Sequence, residues 1–181
     1  MFTFLLAELP ELSLSESAPL SLDDFDAMVR EAMIPEKYIR LLNEYPPAEL
    51  SMESSDSGEL FHVFARYLDF ERFLKLRIAR IRAAKQGVEK VFPEAEKFFV
   101  YANAAIEAAA GINDPLEREK AVDTLRWAAI EEIVPAGILN FEALCAYKIK
   151  LVLLNMRRYR DRETGRAAFD ALLERKVSME N

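Results

Sequence analysis

Residues 141–159 read FEALCAYKIKLVLLNMRRY, and the spacing of their apolar positions decides the fold. Phe141, Cys145, Ile149, Val152 and Met156 recur at helical intervals along one stripe. Leu144, Tyr147, Leu151 and Leu154 form a second stripe. Together the two cover well over half of the helix circumference, more than a helix packed on a single neighbour requires. This helix is therefore expected at the centre of a bundle. Two polar residues, Lys148 and Asn155, fall inside the apolar arc.

A similar projection of residues 60–81 places Glu71 among Leu60, Phe64, Tyr67 and Ile78. A buried charge has to be paired or lose its charge. Glu71, Lys148 and Asn155 are thus the candidate buried polar residues, and two arrangements satisfy the charged pair. In the preferred one Lys148 snorkels to solvent while Glu71 pairs locally with Lys75. In the other, Lys148 and Glu71 meet between the two long helices.

Outward from these two helices, capping and breaking residues divide the chain. Ser21 can cap a helix over about 22–33, with Asp24 three residues on and Leu20 and Phe25 as a staple. Pro35 interrupts, a short helix follows at about 36–45, and Pro46-Pro47 stops it. Residues 51–58, SMESSDSG, are a polar loop. The long helix then runs from about Glu59 to Gln86, with Gly87 past its end. Pro93 opens a helix to about Ala110. Asp114 caps the next, with Pro115 in its first turn, to about Val134. Asn140 caps the central helix, and a last one spans about 164–176. The fold class is all-α: a multi-helix bundle in one domain, 1–181. Within it lie an extended apolar segment and connector (1–20), short helices and a loop (21–58), and a long-helix bundle (59–177).

The opening residues, MFTFLLAELP, resemble the start of an export signal, but no Lys or Arg precedes Arg30 and the apolar run stops at Ala7. Phe2, Phe4, Leu5, Leu6 and Leu9 are expected to pack along the bundle as an extended segment. Left exposed they would form a patch that monomers rarely tolerate, so any uncovered part becomes a docking candidate.

Bulk composition narrows the class of function. The formal net charge of −7 argues against a general nucleic-acid binder. Its distribution is uneven: residues 1–60 hold 13 acidic and 3 basic residues, and residues 61–181 hold 18 acidic and 21 basic. The basic part suits an acidic partner. One cysteine, Cys145, excludes an internal disulfide and a Cys-rich zinc site, and fits a reducing cytoplasm. No apolar run approaches the ~18 residues of a membrane-spanning helix.

Searches for chemistry return structural explanations. Glu59 and His62 match one Glu-x-x-His motif of di-iron bundles, but His62 is the only histidine, so the second motif is missing. Asp23, Asp24 and Asp26 could hold magnesium, yet acids in a first helical turn also complement the helix dipole. Cys145 reads as a small core residue. The six basic residues of 72–85, RFLKLRIARIRAAK, scatter around the helix axis rather than forming a membrane-binding face. They read as solvated arginines and lysines, with contact to an acidic partner as the functional alternative. Arg157, Arg158, Arg160 and Arg162 gather near a helix end, where the dipole favours cations. No catalytic, cofactor or metal residue is assigned.

The pattern of the whole chain resembles a bacterial family whose genes lie among those of V/A-type ATPases. More distantly it is similar to the C/d subunit at the base of their rotary central stalk. The resemblance runs through FLLAELPEL (4–12), PLSLDDF (19–25), RYLDFERFLKLRIARIRAAKQG (66–87), LRWAAIEEI (125–133), NFEALCAYKIKLVLLNMRRYRD (140–161) and TGRAAFDALL (164–173). Phe2 and Phe4 stand where that family carries tyrosines, which keeps the packing and removes the hydroxyls. At 20.7 kDa the chain is much shorter than a full C/d subunit. The resemblance implies a non-enzymatic helical subunit or accessory factor, without cofactor, that joins the soluble rotor to the membrane ring. It would be cytoplasmic, peripheral to the membrane, and bound to other V/A-type ATPase subunits without inserting itself. Phe2, Phe4, Leu5, Arg157, Arg158 and Arg160 are its candidate interface. The alternative is a ligand-binding or catalytic bundle with a pocket around Lys148, since a desolvated lysine can act as a nucleophile or bind an anion.

Overall fold

The computed structural model describes residues 2–45, 61–88, 99 and 102–158. Among them the regular structure is entirely α-helical: α1 (Phe2–Glu8), α2 (Leu22–Glu31), α3 (Glu36–Asn43), α4 (His62–Lys85), α5 (Asn103–Gly111), α6 (Pro115–Ile133) and α7 (Phe141–Arg158). The expected helix over 164–176, the polar loop 51–58 and Pro93 lie outside the described residues.

α7 is the organising helix. It packs on α4 and α6 and also on α1, α2 and α3, while α4, α5 and α6 pack on one another. That position needs apolar surface nearly all round, and α7 has it: Phe141, Leu144, Cys145, Ile149, Leu151, Val152 and Leu154 are all buried. α4 is similarly enclosed, with Phe64, Phe70 and Leu74 almost wholly inside. Full burial of each such side chain contributes about 1.5–3 kcal/mol relative to exposure.

Local signals set the helix ends. Ser21 Oγ accepts from the Asp24 amide at 3.1 Å and Asp24 accepts from the Ser21 amide at 3.3 Å, a reciprocal cap that starts α2. The Ser21 hydroxyl also donates to Asp24 Oδ2 at 2.7 Å, and this bond, with that from the Ser21 amide, holds the Asp24 carboxyl below its usual range. Asp114 Oδ1 accepts from the amides of Leu116 and Glu117, and Pro115 fills the first helical position of α6. Asn140 Oδ1 accepts from the Ala143 amide at the start of α7. At the end of α4, Gly87 takes φ +65°. Its amide and that of Val88 reach back to the carbonyls of Ala84 and Ala83. Such a reversal needs the left-handed conformation that glycine enters most readily.

The N-terminal segment departs from expectation. Phe2–Glu8 is a helix, not an extended run. Phe2, Leu5, Leu6 and Leu9 are spaced i, i+3, i+4 and i+7, so helical winding turns all four the same way. Leu5 and Leu9 are buried. The Phe2 ring packs edge-on against Tyr38 at 5.1 Å and against Phe141 at 5.6 Å. Winding leaves Phe4 on the outside, 77 % exposed. Pro10 follows directly and ends the helix by disfavouring helical backbone at the residue before it.

Candidate functional site

Two of the three buried charged residues among those described, Glu71 and Asp123, lie on the seam where α4, α6 and α7 meet. On α4, Tyr67 and Glu71 are one turn apart, and the Tyr67 hydroxyl donates to Glu71 Oε1 at 3.0 Å. From α6, Arg126 Nε donates to the same oxygen at 2.7 Å, and its Nη2 reaches Glu71 Oε2 at 3.4 Å. The opposite edge of that guanidinium donates from Nη1 to Asp123 Oδ1 at 2.9 Å. Arg157 of α7 completes the series, with Nε 3.6 Å from Asp123 Oδ2 and Nη1 donating to the Leu14 carbonyl. Acid, base, acid and base thus alternate, and the four charges cancel.

Side-chain exposures of 10 % for Glu71, 15 % for Arg126 and 3 % for Asp123 show why this pairing is required. An unpaired ion at that depth would cost several kcal/mol. Burial works against charge on Arg126, but Glu71 outweighs it and holds the guanidinium firmly protonated. Burial, reinforced by Glu71, likewise pushes the Tyr67 and Tyr45 phenols up, so both stay neutral.

A cavity of about 180 Å³ adjoins this seam. Leu68, Glu71 and Lys75 line it from α4, and Ile149, Val152, Leu153 and Met156 from α7. Arg126 and Tyr45 close it. A second, more open groove of about 610 Å³ runs between residues 9–12 and residues 134–139.

The expected pairings of the buried charges are corrected. Glu71 and Lys148 do not meet, and Glu71 bonds Arg126 rather than Lys75. Lys148 does not snorkel: it is 4 % exposed, and its Nζ lies 3.5 Å from Asp26 Oδ1 on α2. The α7 helix packs against α2, which supplies the Asp26 carboxylate as the partner of this ammonium. Burial lowers the Lys148 pKa, with Asp26 opposing the shift. Asn155 is half-buried, donating from Nδ2 to Leu151 O at 3.0 Å and to Leu20 O at 3.4 Å.

The interface candidates divide. Phe4 is exposed, Phe2 is half-buried in the aromatic contacts above, and Leu5 is core. Arg157 turns inward to Asp123 and Leu14. Arg158 ends α7 with its side chain outside the described residues, where Arg160 and Arg162 also lie. In the basic run of α4, Arg72 pairs with Asp69, Arg77 with Glu107, and Lys85 donates to the Ala110 carbonyl. His62 Nε2 lies 2.9 Å from Glu142 Oε1, linking the starts of α4 and α7, and Glu59 is outside the described residues. Asp24 caps α2 and Asp26 pairs with Lys148. Among the described residues no group of three His, Cys, Asp or Glu side chains is arranged to hold a metal.

Arg126, Asp123 and Tyr45 are site residues that the sequence does not single out, and Asp26, grouped there with Asp23 and Asp24, pairs with Lys148 instead. A signal for Arg126 existed: Val122, Ala129 and Ile130 are buried on α6, and their spacing puts position 126 on the same stripe.

Fold and site together define an all-α bundle whose central helix is held by buried ion pairs. Residues 92–180, just under half of the chain and including α5, α6 and α7, match the family model described as "Protein of unknown function (DUF2764)". No curated protein and no solved structure matches the chain.

Proposed function

We propose that this chain is a non-catalytic subunit or accessory factor of a V/A-type ATPase, a rigid coupling piece between the soluble rotor and the membrane ring. The observation that carries the reading is the enclosure of Lys148. It is shut in beside Asp26 and lines neither the seam cavity nor the open groove, which favours a structural role for this lysine over a reactive one. The sequence segments that carry the resemblance include most of α4, the C-terminal half of α6 and all of α7, the helices tied by Glu71, Arg126, Asp123 and Arg157. Dense packing and cross-helix ion pairs suit a part that transmits load without deforming. No helix among the described residues is long and apolar enough to cross a membrane, in keeping with attachment through other subunits. Phe4, exposed on α1, is the docking residue.

The experiment is affinity purification of the tagged chain from its natural host after mild crosslinking, with mass spectrometry of captured proteins. Recovery of V/A-type ATPase subunits, reduced by Phe4→Asp, supports the reading. Their absence from a folded, crosslinked sample overturns it.

A further inference from the structure

The cavity on the α4–α6–α7 seam has walls of one character and an end of another. Leu68 of α4 and Ile149, Val152 and Leu153 of α7 are apolar and face each other across it. Positions 149, 152, 153 and 156 are one helical stripe, and 68, 71 and 75 are another, so two regular faces make the walls. At the polar end stand Glu71, Arg126 and Tyr45. Lys75 and Met156 are the lining residues that reach solvent, which puts the opening between them.

Tyr45 distinguishes this space from a packing gap. It is only 8 % exposed, and its ring is fixed by stacking on Phe64 at 5.0 Å and by an edge contact to Tyr67 at 6.1 Å. Its neighbour Tyr67 spends its hydroxyl on Glu71. Among the described residues the Tyr45 hydroxyl makes no hydrogen bond and is not fully sealed from solvent, which leaves it free to bond a molecule in the cavity. Glu71 Oε2 also has capacity to spare, since its contact to Arg126 is the long one at 3.4 Å.

We propose that this cavity is a binding site for a small neutral molecule with one apolar ring and one hydroxyl, of the size of phenol. Size fits: an apolar cavity of about 150 Å³ takes up benzene, and this one measures about 180 Å³. Polarity fits as well. A ligand hydroxyl at the inner end can accept from Tyr45 and donate toward Glu71, while the ring replaces contacts missing between Leu68, Ile149 and Leu153. A carboxylate head fits worse, because Arg126 is already engaged by Glu71 and Asp123 and the head would stand beside the Glu71 carboxylate. The site is independent of the proposed ATPase role.

The test titrates the full chain, methyl-labelled, with phenol, toluene and benzoate by NMR. Phenol and toluene are expected to bind saturably at one site, with ring protons close to the methyl groups of Leu68, Ile149 and Val152. Tyr45→Phe is expected to weaken phenol by roughly two- to tenfold, the worth of one hydrogen bond, and to leave toluene unchanged. Leu153→Trp, which fills the space, is expected to abolish both. Should that variant fail to fold, the methyl contacts in the native chain still decide the location. The proposal is overturned by any of three results: no saturable phenol binding, ring contacts elsewhere in the bundle, or benzoate binding more tightly than phenol.

Discussion

Arg126 and Glu71 are 55 residues apart in the chain, and the guanidinium of one donates to the carboxylate of the other at 2.7 Å inside the bundle. The bond joins α6 to α4, and its neighbour Asp123 extends the link to α7 through Arg157. Removing one member strands the others in a largely buried setting. Arg126→Ala is expected to cost about 3–5 kcal/mol in urea unfolding. A double-mutant cycle of Glu71→Gln with Arg126→Met should show coupling above about 1 kcal/mol. Glu71→Gln with Lys148→Met should be additive, because those two residues do not touch.

Lys148 and Asp26 form an asymmetric pair, and their substitutions should be asymmetric too. Asp26 has a side chain 30 % exposed against 5 % for Lys148. Lys148→Met removes an ammonium that burial disfavours and leaves a carboxylate that water can reach, so stability should change by less than about 1 kcal/mol. Asp26→Asn leaves the ammonium buried and is expected to cost about 1–3 kcal/mol.

The same lysine gives a pH signature of known sign. Its folded pKa lies below the ordinary 10.5. Between the folded value and 10.5 the unfolded chain binds more protons, so this group's contribution to stability rises with pH across that window. Wild type should therefore gain on Lys148→Met from neutral pH toward pH 10.5 in paired denaturation curves. The tyrosines act oppositely. Burial pushes Tyr147 up to about 12, so above pH 10 the unfolded chain loses protons first and stability falls. Comparison at each pH cancels that shared loss.

Adjacent residues of α1 should behave as opposites. Leu5 is 2 % exposed and Phe4 77 %. Leu5→Ala is expected to destabilise by about 2–5 kcal/mol. Phe4→Ala should stay within about 0.5 kcal/mol, as measured by thermal and urea denaturation.

Cys145 offers a check on the core. It is fully buried, and burial, with Glu142 nearby, pushes its thiol far above the usual range. Maleimide should leave the native protein unlabelled for as long as it stays folded and should react at once in denaturant. Rapid labelling of the native chain would mean that α7 is not central.

The fold was readable because helix caps and apolar spacing are local. Ser21, Asp114, Asn140 and Gly87 each act within a few residues of themselves, and each ends up at the boundary its chemistry implies. α1 was misread because seven residues bracketed by Pro10 leave little room for periodicity to register. Charge pairing was readable only by half. The apolar arcs marked Glu71 and Lys148 as buried, but their partners Arg126 and Asp26 come from other helices, and which helix supplies them is set by tertiary packing. The unpartnered Tyr45 hydroxyl could not be foreseen at all, since it depends on a space left between three helices.

Residues 9–20 have no regular structure, yet α7 holds them at three points. Tyr147 donates to the Pro10 carbonyl at 3.0 Å, Arg157 to that of Leu14, and Asn155 to that of Leu20. Every acceptor is a main-chain oxygen, which any amino acid supplies. These three contacts therefore read the path of the segment and not its spelling. The exposed side chains at 11 and 16 can be rewritten, and labels attached there through single substitutions, while the belt stays fastened; Ser13 is kept, because its Oγ accepts from the Ser15 amide at 3.3 Å. Leu9, Leu12 and Leu20 add apolar anchors of their own, but the polar clasps that hold the path lie more than a hundred residues downstream, in three positions of one helix.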